Sequence, residues 1–187
     1  MANASNVTTG KPKKGGAIFR APLGSKLPTD ATTVLDEAFV GLGYCSDDGL
    51  TNENSPETES IKAWGGDTVL TTQTAKEDTF TFTLIETMSP DVLKAVYGSA
   101  NVTGTLSDGI TVKANSDPQE AAAWVIELVQ RGGAHKRIVI PSAAITEIGE
   151  IAYTDEDSVG YEITISATPD TDGNTHYEYL KTASVGP

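Results

Sequence analysis

The residues best equipped for chemistry are few and scattered. The 187-residue chain has two histidines, His135 and His176, and a single cysteine, Cys45. Covalent catalysis needs a nucleophile within reach of a base, and a zinc site needs Cys, His or acids at short spacing. Both histidines sit in strand-like patterns without such companions, and Cys45 has neither an assignable base nor a disulfide partner. Asp170-Thr171-Asp172-Gly173-Asn174 alternates acids as a calcium loop does, but lacks that loop's spacing and terminal Glu and reads as a hairpin turn. Asp155-Glu156-Asp157 could hold a hard cation and is more simply a solvated charge run. Gly65-Gly66 and Gly132-Gly133 precede no Lys-Ser/Thr pair, so neither is a phosphate loop. The expectation is a protein that is not an enzyme, with no catalytic, metal or cofactor site.

Charge is the stronger signal. The net charge is −13, yet residues 1–29 contain Lys11, Lys13, Lys14, Arg20 and Lys26 and none of the 26 acids. Those five cations are opposed by an acidic body, where Asp47, Asp48, Glu53, Glu57 and Glu59 fall within residues 46–60 without a base among them. Phosphate binding rests on clustered Lys and Arg, so such a body is a poor partner for nucleic acid. Five cations spread along an arm make a weak phosphate site too, which favours the acidic body of another copy over DNA.

The elements that would position these charges are read from periodicity. Residues 79–86 alternate, with Phe80, Phe82 and Leu84 on one side and Thr79, Thr81 and Thr83 on the other, as in a half-buried strand. A run rich in β-branched residues at 67–74 precedes it across the polar stretch Ala75–Asp78, which predicts a hairpin. Ser89, Pro90 and Gly98 mark the start and stop of a short helix whose apolar face is Val92, Leu93, Val96 and Tyr97. Ala31, Val34, Leu35, Ala38, Phe39 and Leu42 predict a second helix. Further strands are expected at 110–114, 122–130, 135–140, 144–153, 159–167 and 176–180, with 122–130 compatible with either type until Gly132-Gly133 argues for a hairpin. Trp64 and Trp124 both read as core.

The resulting organisation is a flexible basic arm at 1–16, a β domain at 17–181 carrying a long acidic loop at 46–60, and a tail at 182–187. Ile18 and Phe19 would be buried either on another copy or on the arm's own domain. The fold class expected is mainly β, a β-sandwich or partly closed barrel with a flanking α-helix. No apolar run approaches the ~20 residues of a membrane span, and no secretory signal is recognised, so the chain is expected to be made in the cytoplasm.

Several short motifs occur in a familiar order: Arg20-Ala21-Pro22-Leu23-Gly24, Leu27-Pro28-Thr29-Asp30-Ala31, Gly41-Leu42-Gly43-Tyr44, Asp48-Gly49-Leu50, Ile61-Lys62-Ala63-Trp64-Gly65-Gly66, Val92–Gly98 and Gly160-Tyr161-Glu162. Together, over about residues 16–181, they resemble the major tail proteins of phages with long, non-contractile tails, those infecting actinobacteria above all. The resemblance implies a tail-tube-like β-sandwich, with hexameric rings stacking into a hollow tube around a tape measure protein, between a tail tip and a tail terminator. It implies a virion location, assembly in the bacterial host cytoplasm, and double-stranded DNA passing through the bore without specific binding. Within that frame Thr79, Thr81 and Thr83 are expected to line the bore. Lys11, Lys13, Lys14, Ile18, Phe19, Arg20 and Lys26 are expected to dock on an adjacent copy through the acidic loop. The competing expectation is an adhesive or ligand-binding β-sandwich module on a particle or cell surface, which would show a concave aromatic patch.

Overall fold

The computed structural model describes residues 1–183; residues 184–187 of the tail expected at 182–187 lie outside the described part. In chain order the strands are β1 (Lys11–Pro12), β2 (Ile18–Pro22), β3 (Val40–Gly41), β4 (Cys45–Glu53), β5 (Pro56–Lys62), β6 (Thr68–Lys76) and β7 (Thr79–Leu84). Helix α1 (Pro90–Tyr97) follows, then β8 (Val102–Thr105), β9 (Gly109–Val112), β10 (Ala122–Val129), β11 (His135–Ile148), β12 (Tyr161–Ala167) and β13 (Tyr177–Lys181). Nine strands form one antiparallel sheet in the order β3-β2-β10-β11-β12-β7-β4, with β1 beside β10 and β13 beside β11. The pairs β5-β6 and β8-β9 are separate hairpins.

The sheet curls over its own core without closing into a barrel. Phe80, Phe82 and Leu84 on β7 are buried with Ile163 and Ile165 on β12, Ile138 and Ile140 on β11, and Trp124 and Ile126 on β10. Two strands separate β7 from β10 in the sheet, yet the Phe82 and Trp124 rings meet edge-on with centroids 6.1 Å apart. The segment entering β4 touches both margins: Leu42 N–H donates to Ile18 O at 2.9 Å and Ile85 N–H to Tyr44 O at 3.1 Å. Gly43 there adopts φ 73°, a backbone conformation that strains a residue with a side chain, and the Glu86 carboxylate lies against it. Helix α1 lays Val92, Leu93, Ala95 and Val96 on the same core, with Pro90 in its first turn and Gly98 ending it at φ 91°. On the far side of β10, Ala123 and Val125 pack with Ala21, Phe39 and Val139 in a second cluster. Burial on both faces explains the continuous apolar run Ala122–Ile126.

The mainly β architecture with a flanking helix matches the expectation, while several elements differ. No helix forms at 30–42. The Asp30 carboxylate accepts the N–H groups of Thr32 and Thr33, at 2.6 and 2.7 Å, and the Arg137 guanidinium takes the carbonyls of Asp30 and Thr33, at 2.8 and 2.9 Å. The Asp30 bonds are those of a helix cap, but Arg137 takes carbonyls that a helix would give to the N–H groups four residues on, and Ala31, Phe39 and Leu42 are buried from an irregular segment instead. The residues read as one loop at 46–60 belong mostly to β4 and β5. Accordingly β6 pairs with β5, not with β7, which lies between β12 and β4. The strand expected at 144–153 is the far half of β11, carried past a bulge between Ile145 and Glu147.

Candidate functional site

Alternation along β7 puts Thr79, Thr81 and Thr83 on the sheet face opposite the core, each half-buried. Cross-strand register extends that face into rows: Glu53–Thr79–Ser166, Thr51–Thr81–Thr164, and Thr83–Glu162. The hydroxyls of Thr81 and Thr164 are 2.8 Å apart, and the Thr146 hydroxyl donates to the Thr164 carbonyl at 3.3 Å. Gly160 lies so close that a Cβ there would sit 2.6 Å from the Thr83 methyl. The rows hold hydroxyls and two acids, Glu53 and Glu162, with no Lys or Arg.

The basic N-terminal residues lie along the body. Lys11 and Pro12 pair with Val129 and Leu128 on β10, and Lys13 N–H donates to Glu127 O at 3.1 Å. The Lys13 ammonium reaches the buried Glu127 carboxylate, which is also held by Arg137, itself 2% exposed. Burial alone would raise the Glu127 pKa, but the hydrogen bonds and charges of Lys13 and Arg137 hold it below the usual carboxylate range. Ile18 is buried in the chain's own core and Phe19 packs on the second cluster, so the within-domain alternative is the one observed for this pair. The Arg20 guanidinium lies over the Trp124 ring, 5.7 Å from its centroid, and Lys26 is exposed. Asp47, Asp48, Glu53, Glu57 and Glu59 are all exposed, and among the described residues none forms an ion pair with these cations within the chain.

Between the arm and the β10–β11 turn runs a groove of about 960 Å³. Val7, Pro12 and Val129 contribute apolar surface to it, and Lys11, Lys14 and Arg131 contribute charge. The β5–β6 hairpin stands in solvent, every residue exposed except half-buried Ala75. At its turn Trp64 is fully exposed, which corrects its reading as core; Trp124 is buried. The flanking Gly65 and Gly66, at φ 116° and 101°, were the signal that Trp64 sits on a turn.

Two buried polar sites were not foreseen. Glu127 within AAWVIELV and Arg137 within HKRIVI are directly opposed in register, and the acid inside the apolar run was a legible sign of a buried pair, whereas Arg137 follows His135 and Lys136 and carried no such mark. Asp78, 1% exposed, accepts from Asn52 at 2.8 Å and from Thr175, and bonds to His176. Desolvation opposes its charge, and those three partners outweigh it, so its pKa is lowered. Burial, with Glu86 nearby, raises the Cys45 thiol to about 11, which leaves it protonated at neutral pH. Among the described residues no group of three or more His, Cys, Asp or Glu is placed to hold a metal ion, and no helix is long and apolar enough to cross a membrane.

A curled antiparallel sheet with a polar face, a free-standing hairpin and a strapped basic arm defines a mainly β protein with extended exposed polar surfaces. The phage tail tube protein family model matches residues 2–186, and the chain belongs to that family, which places it in the virion tail. No curated protein sequence matches it. Among solved structures it is similar to the tube terminating cap of the anti-feeding prophage, at 11% identity and a TM-score of 0.41 over 98% of this chain and 100% of that one.

Proposed function

We propose that the chain forms hexameric rings that stack into the hollow tail tube through which DNA is delivered to the host cell. The observation that carries this reading is the hydroxyl-and-acid face of β4, β7 and β12. A conduit for DNA must not grip it, and a wall without Lys or Arg gives phosphate no partner. Thr79, Thr81 and Thr83 line the bore. Lys11, Lys14 and Lys26 face the exposed acids of β4 and β5 on an adjacent copy, an attraction that weakens with salt over a Debye length of ~8 Å. A tape measure protein fills the bore, and tail tip and terminator proteins bound the tube. Assignment to a long, non-contractile tail, and to an actinobacterial host, rests on the sequence motifs alone.

A reconstruction of the assembled tube is the test. Density placing Thr79, Thr81 and Thr83 around the lumen is expected; placing them between subunits or on the outer surface would reject the assignment.

A further inference from the structure

Two surface features stand apart from the polar face. One is the tip of the β5–β6 hairpin, Ala63–Asp67, closed by Ala63 N–H to Asp67 O at 2.7 Å and Gly66 N–H to Ala63 O at 3.0 Å. It holds a fully exposed indole, Trp64, at the end of a stem exposed on both faces. The other is the groove beside the arm, lined by Val7, Pro12 and Val129 together with Lys11, Lys13, Lys14 and Arg131; among the described residues no acid lines it.

We propose that the groove receives the hairpin tip of a second copy, with Trp64 against its apolar residues and Asp67 against its cations. Resting on the tube reading, the proposal names the contact through which one copy holds the next. Size is compatible, since about 960 Å³ accommodates an indole and the turn that carries it. Chemistry selects the occupant. An indole under Lys and Arg gains a cation–π attraction, and Trp is among the residues that most often anchor protein interfaces. Charge contributes at one point: among the described residues the charged side chains lining the groove are all cationic, and Asp67 is the acid at the tip of a hairpin whose three acids and two lysines leave it at −1. Reach agrees as well. A nine-residue strand such as β6 spans roughly 30 Å at 3.3 Å per residue, which carries the tip away from its own sheet. Tip and groove are different surfaces of one chain, and in the stacked rings proposed above their contact is heterologous and propagates from copy to copy.

Tryptophan fluorescence of the full chain reads this contact directly, because Trp64 is exposed and Trp124 is buried. On polymerisation the long-wavelength emission that Trp64→Phe removes from the monomer spectrum is expected to shift to the blue and to lose acrylamide quenching severalfold. Trp64→Ala, and separately Lys11→Glu with Lys14→Glu, are each expected to raise the concentration needed for assembly about tenfold or more, a loss of ~1.4 kcal/mol or more per contact. Their circular dichroism and Tm should stay at the parent values. Tubes in which Trp64 remains as quenchable as in the monomer, or tubes that Trp64→Ala builds at the parent concentration, would overturn the groove contact and leave the tube reading standing. A chain that never self-associates, seeded or unseeded, would overturn both.

Discussion

The curled sheet and the β5–β6 hairpin are built from the same kind of element and differ in what surrounds them. On β7 every second side chain is buried at 2% exposure or less, against β12 and α1. On β5 every residue is exposed, Ile61 among them, and Trp64 beyond its end meets solvent on all sides. Two strands alone are marginally stable in water, so the hairpin contributes little to folding and is free to serve contact with other chains. Stability resides in the sheet, and the hairpin is the region proposed above for assembly.

Breaking the core should show this first. Trp124→Ala removes the ring that meets Phe82 and donates its indole N–H to the Ala143 carbonyl, and is expected to cost about 3–5 kcal/mol of stability, read as a drop in Tm and in the urea midpoint. Arg137→Ala leaves Glu127 with Lys13 as its remaining ion partner and frees the carbonyls of Asp30 and Thr33, with an expected loss of roughly 3 kcal/mol. Asp78→Ala strips Asn52, Thr175 and His176 of a shared acceptor and should cost about 1–3 kcal/mol.

Acid sharpens the same contrast. Asp78 and Glu127 both have lowered pKa values in the fold, so their stabilisation is present above the ordinary carboxylate range and is lost as pH falls through their lower folded values. Urea midpoints should therefore fall below about pH 4, and Asp78→Asn should flatten that decline. Little of this should reach the hairpin. Trp64→Ala is expected to change stability by no more than about 0.5 kcal/mol, the range of an exposed substitution.

The sequence made the core legible where one face was buried and the other was not. The alternation of Phe80, Phe82 and Leu84 with threonines identified both the core side and the polar face. Gly132-Gly133 resolved the β10–β11 hairpin, and Ser89-Pro90 with Gly98 bounded α1, although Ser89 makes no side-chain cap bond. Residues 30–42 misled because their apolar spacing serves burial from an irregular segment held by Asp30 and Arg137, partners 107 residues apart. β4 and β5 were missed for the opposite reason: an edge strand and a solvated hairpin need no apolar alternation, so polar strands resemble loops. The Asp78–His176 contact joins residues 98 apart and left no local mark.

The division between scaffold and assembly element is tested most directly by replacing Glu57–Ala75 with a short Gly-Ser turn and following the purified protein by calorimetry and negative-stain electron microscopy. A folded chain with the parent Tm that no longer forms rings or tubes is expected. Normal tubes from the shortened chain, or a collapse of Tm, would contradict it.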